Sequence, residues 1–137
     1  MGTLGGSDCY ATGINASDAI VGWEDRLQGQ RAFRYADTEF TDLGSLGGNS
    51  SLATAINDAG QIVGWSKLAG ADPQQQRAFF YVNGRMYDLN DLVEPLSLPL
   101  SEASKINNSG QIIANACPPA GICGGCRAYL LTPVSPP

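Results

Sequence analysis

Apolar side chains come along this chain in short bursts. Leu52–Ile56 ends at the polar break Asn57-Asp58-Ala59-Gly60-Gln61, Ile62–Trp65 follows, and Ala78–Val82 runs into Asn83-Gly84. Bursts this short, rich in Ile, Val, Trp, Phe and Tyr and bounded by turn residues, predict β-strands. Four are expected here, at about 52–56, 61–66, 77–82 and 85–89. The first break is a turn, because the Asn57 side chain can bond its own backbone and Gly60 supplies a permissive φ. Asn83-Gly84 is the strongest short hairpin signal, since both residues tolerate positive φ. No segment has convincing helical periodicity. The chain is therefore expected to be all-β.

The same pattern is stated three times. Gly13-Ile14-Asn15-Ala16-Ser17-Asp18-Ala19-Ile20-Val21-Gly22-Trp23 returns as Ala55-Ile56-Asn57-Asp58-Ala59-Gly60-Gln61-Ile62-Val63-Gly64-Trp65. It returns more loosely as Lys105-Ile106-Asn107-Asn108-Ser109-Gly110-Gln111-Ile112-Ile113-Ala114-Asn115. The Asn positions lie 42 and then 50 residues apart, a period typical of stacked β-units. A second block recurs as Arg31-Ala32-Phe33, Arg77-Ala78-Phe79 and Arg127-Ala128-Tyr129. The units are about 1–42, 43–88 and 89–137 of a single repeat domain, each of about four short antiparallel strands.

Hairpin arithmetic extends the pattern to pairs. A two-residue turn at 83–84 sets Phe79 opposite Asp88, which makes Arg77 a diagonal neighbour of Asp88. Asp37-Thr38 holds the matching place in the first copy and sets Arg31 diagonal to Asp42. Such ion pairs contribute about 0.2–1 kcal/mol unless buried, and read as structural. Gly22 and Gly64 suggest close approach of a neighbouring unit's backbone or ring. Leu4-Gly5-Gly6 and Leu46-Gly47-Gly48 suit tight passages between units.

Composition narrows the function more than it defines it. The 137 residues carry a net charge of −5, with eight scattered basic residues and no histidine. That balance argues against nucleic acid or an anionic membrane as partner, because both need a basic stripe. Without histidine, Ser-His and Cys-His nucleophile arrangements are excluded. No apolar run approaches the roughly 20 residues of a membrane helix, so membrane insertion is not expected. Met1–Gly6 lacks the basic and apolar regions of a signal peptide. No cofactor motif is present, and a non-catalytic protein is expected.

The cysteines are the only unusual chemical grouping. Cys117, Cys123 and Cys126 share one loop between the second and third strands of the last unit, and Cys9 precedes the first strand. Structural disulfides are the leading reading, with a redox dithiol or half a zinc site left open by Cys123-Gly124-Gly125-Cys126. Trp23, Glu24, Asp25 and Trp65 form a candidate ligand face for a glycan, although repeated tryptophans more often pack. Asp88, Asp91 and Glu94 lack the spacing of a calcium loop. Asn15, Asn49 and Asn107 head Asn-x-Ser triplets, two of which the turn already explains.

These blocks, with Asp42-Leu43-Gly44-Ser45-Leu46-Gly47-Gly48, resemble the HAF repeat family of extracellular bacterial repeats. The resemblance spans almost the whole chain, is most specific in the second copy, and lacks the double glycine in the third. It implies a propeller-like β-fold on secreted, periplasmic or surface proteins, with no catalytic residues to carry over. Propellers typically have 4–8 blades, so three units point to completion by oligomerisation. The alternative is a single-chain pseudo-threefold β-prism or β-trefoil. The fourth strand of the last unit would fall on Thr132-Pro133-Val134-Ser135-Pro136-Pro137, where proline makes a poor strand. An open edge there invites another chain. The expected function is a self-associating interaction or structural module. A carbohydrate- or small-ligand-binding protein is the alternative, with a glycan or protein as its ligand.

Overall fold

The computed structural model describes residues 8–26, 29–69, 75–96, 98–118 and 125–133. They form eleven strands, and no α-helix occurs among them. β1 (Cys9–Ile14), β2 (Ile20–Arg26), β3 (Gly29–Ala36) and β4 (Glu39–Gly44) make the first sheet in chain order. β5 (Gly47–Ile56), β6 (Ile62–Leu68), β7 (Gln76–Val82) and β8 (Arg85–Asp88) repeat that order in the second. β9 (Glu102–Ile106), β10 (Ile112–Ala116) and β11 (Arg127–Leu131) make a three-stranded third sheet. All pairings within the sheets are antiparallel, and no barrel closes among the described residues.

The turns fold as their residues dictate. Asn57 Oδ1 accepts from Gln61 N–H at 2.9 Å, and Gly60 sits at φ 82°. Asn107 Oδ1 accepts from Ser109 and Gln111 N–H, with Gly110 at φ 80°. In the first copy Asn15 Oδ1 accepts from Ser17 and Ala19 N–H, and Asp18 takes the positive φ at 64°. Asn83 and Gly84 have φ 54° and 79°, which sets the register Phe79↔Asp88. Asp37 and Thr38 adopt 52° and 63° and give Phe33↔Asp42.

Thr38 is the misfit among them. A β-branched residue at positive φ crowds its own backbone. The side chain is exposed, so removing it disturbs no packing. Thr38→Gly is expected to stabilise the protein by about 1 kcal/mol, read as a higher thermal midpoint. A lower midpoint would mean that the hydroxyl outweighs the strain.

The sheets stack in series. The first packs on the second mainly through β1, β2 and β3 against β5, and the second packs on the third through β5, β6 and β7 against β9. Two apolar clusters result. Val21, Ala32 and Leu43 meet Ala53, Ile62, Phe79 and Tyr81 in the first. Ala55, Val63, Ala78 and Leu89 meet Leu100, Ala103, Ile112 and Ala114 in the second. Ile62 and Val63 are adjacent and both fully buried, because they point to opposite neighbours. A pseudo-threefold prism or trefoil would need the first and third units to pack together. The two clusters described join only consecutive sheets.

The links between sheets differ. Between β4 and β5, Ser45 Oγ donates to Gly48 O at 2.8 Å and Ser51 Oγ donates to Gly44 O at 2.6 Å. Between β8 and β9 a 3-10 helix, Leu89–Asp91, begins at Asp88, whose carboxylate accepts from Asn90 N–H. Asn90 then clasps Leu100, donating to its carbonyl at 3.0 Å and accepting from its N–H at 2.7 Å.

The crowding at Gly22 and Gly64 has a different source from the one expected. A Cβ at Gly64 would overlap the Leu52 carbonyl and come within 2.8 Å of Phe79 Cε2. At Gly22 it would overlap the Tyr10 carbonyl. Both neighbours belong to the same sheet, not to the next unit. The cause is a β-bulge in the first strand of each sheet, at Ala11/Gly13 and Ala53/Ala55, which bends that strand over the glycine. The Leu4-Gly5-Gly6 passage lies outside the described residues.

Candidate interaction surface

The bulge before each turn asparagine presents a hydroxyl. The extra residue in the register is Thr12 in β1, Thr54 in β5 and Ser104 in β9. Thr12 Oγ1 donates to Ala53 O in the next sheet at 2.6 Å, and Thr54 Oγ1 donates to Ala103 O at 2.6 Å. A bulged residue leaves the ladder, so its side chain can aim between sheets.

The turn asparagine supplies a second tie. Asn15 Nδ2 donates to Asn57 O, and Asn57 Nδ2 to Asn107 O, each at 2.9 Å. A third tie uses the residue that follows. Ala16 N–H donates to Asp58 Oδ1 at 2.7 Å, and Asp58 N–H to Asn108 Oδ1 at 2.8 Å. The same three bonds therefore join the first sheet to the second and the second to the third. Sequence reasoning assigned Asn57 to its own turn and missed this outward half of its amide. It also missed the hydroxyls, although Thr12, Thr54 and Ser104 each stand three residues before the Asn.

Asn57 is buried and uses both ends of its amide. In Asn57→Asp the turn-closing oxygen remains, but a second oxygen would face the Asn107 and Gln61 oxygens with no proton to share. The expected loss is about 2 kcal/mol in chemical denaturation. A loss near zero would remove the inter-sheet tie from the account.

The ligand-face residues are divided by strand alternation. Trp23 shares a face of β2 with Val21, the face turned to the second sheet, and Glu24 points the other way. Trp65 shares a face of β6 with Val63, the face turned to the third sheet. Both tryptophans are half-buried, and Tyr10 stacks on Trp23 with ring centroids 4.2 Å apart. Asp25 is exposed, and its N–H donates to Asp8 O at 2.9 Å. Trp23, Glu24 and Asp25 do not form one patch.

Among the structural pairs, Asp42 Oδ1 accepts from Gly44 N–H and Asp88 Oδ1 from Asn90 N–H, so both carboxylates shape the links between sheets. Arg31 and Arg77 are half-buried opposite Glu24 and Ser66, and Arg77 Nη1 donates to Gln76 O at 3.1 Å.

Cys117 and Cys126 form a disulfide across the loop between β10 and β11. Cys123 lies outside the described residues. Cys9 opens β1 rather than preceding it, and its thiol lies 4.0 Å from Glu24 Oε2. Burial pushes the Cys9 pKa up, and the Glu24 and Asp8 carboxylates add to the shift. That is opposite to what a nucleophilic or metal-binding thiolate requires. Among the described residues, no group of three or more Cys, Asp or Glu side chains is placed to hold a metal ion. No helix among them is long and apolar enough to cross a membrane.

The described fold is thus an all-β protein of serially stacked antiparallel sheets. No family model, curated protein or solved structure matches the chain.

Proposed function

We propose that this protein is a non-catalytic β-repeat module of the HAF type, whose sheets act as propeller blades and whose end sheets mediate self-association. The observation that carries this reading is the joint formed twice by the same atoms, Thr12 and Asn15 to the second sheet and Thr54 and Asn57 to the third. A joint that recurs identically is one that another such unit can extend. The apolar residues left outside on the end sheets support the same reading. Ile14 is 61% exposed on the first sheet and Leu130 is 63% exposed on the third. The Cys117–Cys126 disulfide suits an oxidising, extracellular or periplasmic setting. Light scattering across a concentration series tests the proposal. A mass above one chain is expected, and a clean monomer throughout would overturn self-association.

A second reading, binding of a glycan, is favoured by one observation. Tyr10 is 48% exposed on top of Trp23, which gives a wet aromatic platform of the kind sugars stack on. Binding on a glycan array that is lost in Trp23→Ala is the expected result, and no binding to any glycan would sink it.

A further inference from the structure

The two end faces differ in chemistry, and they differ in a complementary way. On the third sheet Ser104 Oγ finds only Ile113 O, at 3.4 Å within its own sheet, where Thr12 and Thr54 reach the next sheet. Asn107 Nδ2 donates to Gln111 Oε1, as Asn57 does to Gln61, but an amide has two protons and Asn57 spends its second on the next sheet. The third sheet therefore presents the donor half of the joint.

The acceptor half is on the first sheet. Its counterparts of Ala53 O and Asn57 O are Ala11 O and Asn15 O. Ala11 and Ile14 are exposed there, whereas Ala53 and Ile56 are buried against the preceding sheet. On the third sheet Ile113 and Leu130 are registered opposite each other and are 44% and 63% exposed. Val21 and Val63, the counterparts of Ile113, are fully buried against a following sheet.

We infer that the outer face of the third sheet docks on the outer face of the first sheet of a second copy. Two copies then close a six-sheet ring through two identical joints, each built like the joints inside the chain. This rests on the blade reading above. The joint is heterologous, so it must close or polymerise. With three sheets among the described residues of each copy, two copies bring together six, within the usual 4–8 blades of a propeller.

Two features of the end faces weaken the joint relative to the internal ones. Ala16 stands where Asp58 and Asn108 offer an acceptor, so the third tie is missing. Lys105 stands where Ala55 lies buried against the next sheet, so its stem must lie along the contact with the ammonium at the rim. Both features can be reversed by substitution. Ala16→Asp restores the missing acceptor for Asn108 N–H, and Lys105→Ala removes the obstruction.

Sedimentation equilibrium on the whole chain tests the docking. Ile14→Arg on one face, and Ile113→Arg with Leu130→Arg on the other, are expected to weaken dimerisation at least about a hundredfold by burying unpaired charge. All three positions are already exposed, and an unchanged thermal midpoint of the monomer verifies folding. Mixing the two variants should recover a two-copy species through the one joint still intact. Ala16→Asp and Lys105→Ala should each tighten the dimer by about a hundredfold, the equivalent of one good tie in each of its two joints. A dimer indifferent to all four variants would overturn this docking while leaving self-association through another surface, such as the β11 edge. Open-ended polymer would overturn ring closure. A monomeric parent would overturn self-association itself, and the docking with it.

Discussion

Phe79→Ala is expected to cost about 3–5 kcal/mol, a large fraction of the about 5–15 kcal/mol that holds a typical domain folded. Phe79 has no exposure and is among the largest fully buried side chains of the described residues. It comes from the centre of β7, opposite Asp88 on β8 and Gly64 on β6, and fills the cluster between the first and second sheets. Its neighbours there include Val21 and Ala32, which are too short to collapse into the space a phenyl ring leaves. A residual cavity adds to the lost transfer free energy. Urea denaturation checks it: a loss below about 1.5 kcal/mol would mean that the stack relaxes, and the clusters are softer than their burial implies. Phe33→Ala is the natural comparison, because Phe33 is equally buried but stacks on Phe40 at 4.9 Å within its own sheet.

Gly64→Ala is expected to destabilise by about 3 kcal/mol or more, although it adds a single methyl group. The new Cβ would overlap the Leu52 carbonyl and press on Ala53 Cα at 2.9 Å. Both are backbone atoms, so no rotamer change relieves the clash. The bulge would have to open, and opening it withdraws Thr54 Oγ1 from Ala103 O. The substitution therefore loosens the joint to the third sheet as well as the second sheet itself. At Gly60 a Cβ meets nothing within 4 Å, but φ is 82°, so Gly60→Ala should cost only the about 1–2 kcal/mol of a left-handed residue. Thermal unfolding of the two variants side by side decides the matter. Equal losses would show that the bulge is not packed as described.

Much of the second sheet was legible in the sequence. The predicted strand at 77–82 is β7 without its first residue, and 85–89 is β8 with one residue more. The Asn83-Gly84 turn fixed the register of Phe79 on Asp88 because a two-residue hairpin leaves no other pairing. The faces were less legible. Ile62 and Val63 belong to different clusters, and a strand buried on both sides gives a continuous apolar run with no alternation to read. The bulges at Thr12 and Thr54 were invisible for a related reason. A single inserted hydroxyl residue leaves the apolar spacing around it nearly intact, and only a partner strand reveals the extra count. The short helix Leu89–Asp91 was missed because one turn is too short for a periodic signal.

The amide of Asn57 faces two ways, its oxygen toward its own turn and one proton toward the turn of the following sheet. A unit built on such an asparagine carries the plug and the socket of its own connection, since the socket is a main-chain carbonyl that any sequence provides. Duplicating the unit duplicates a working polar connection, with no second polar group to be matched to it. Arrays of this design can gain or lose whole units by gene duplication or deletion, while the spacing from the hydroxyl to the asparagine and the apolar faces between sheets are held.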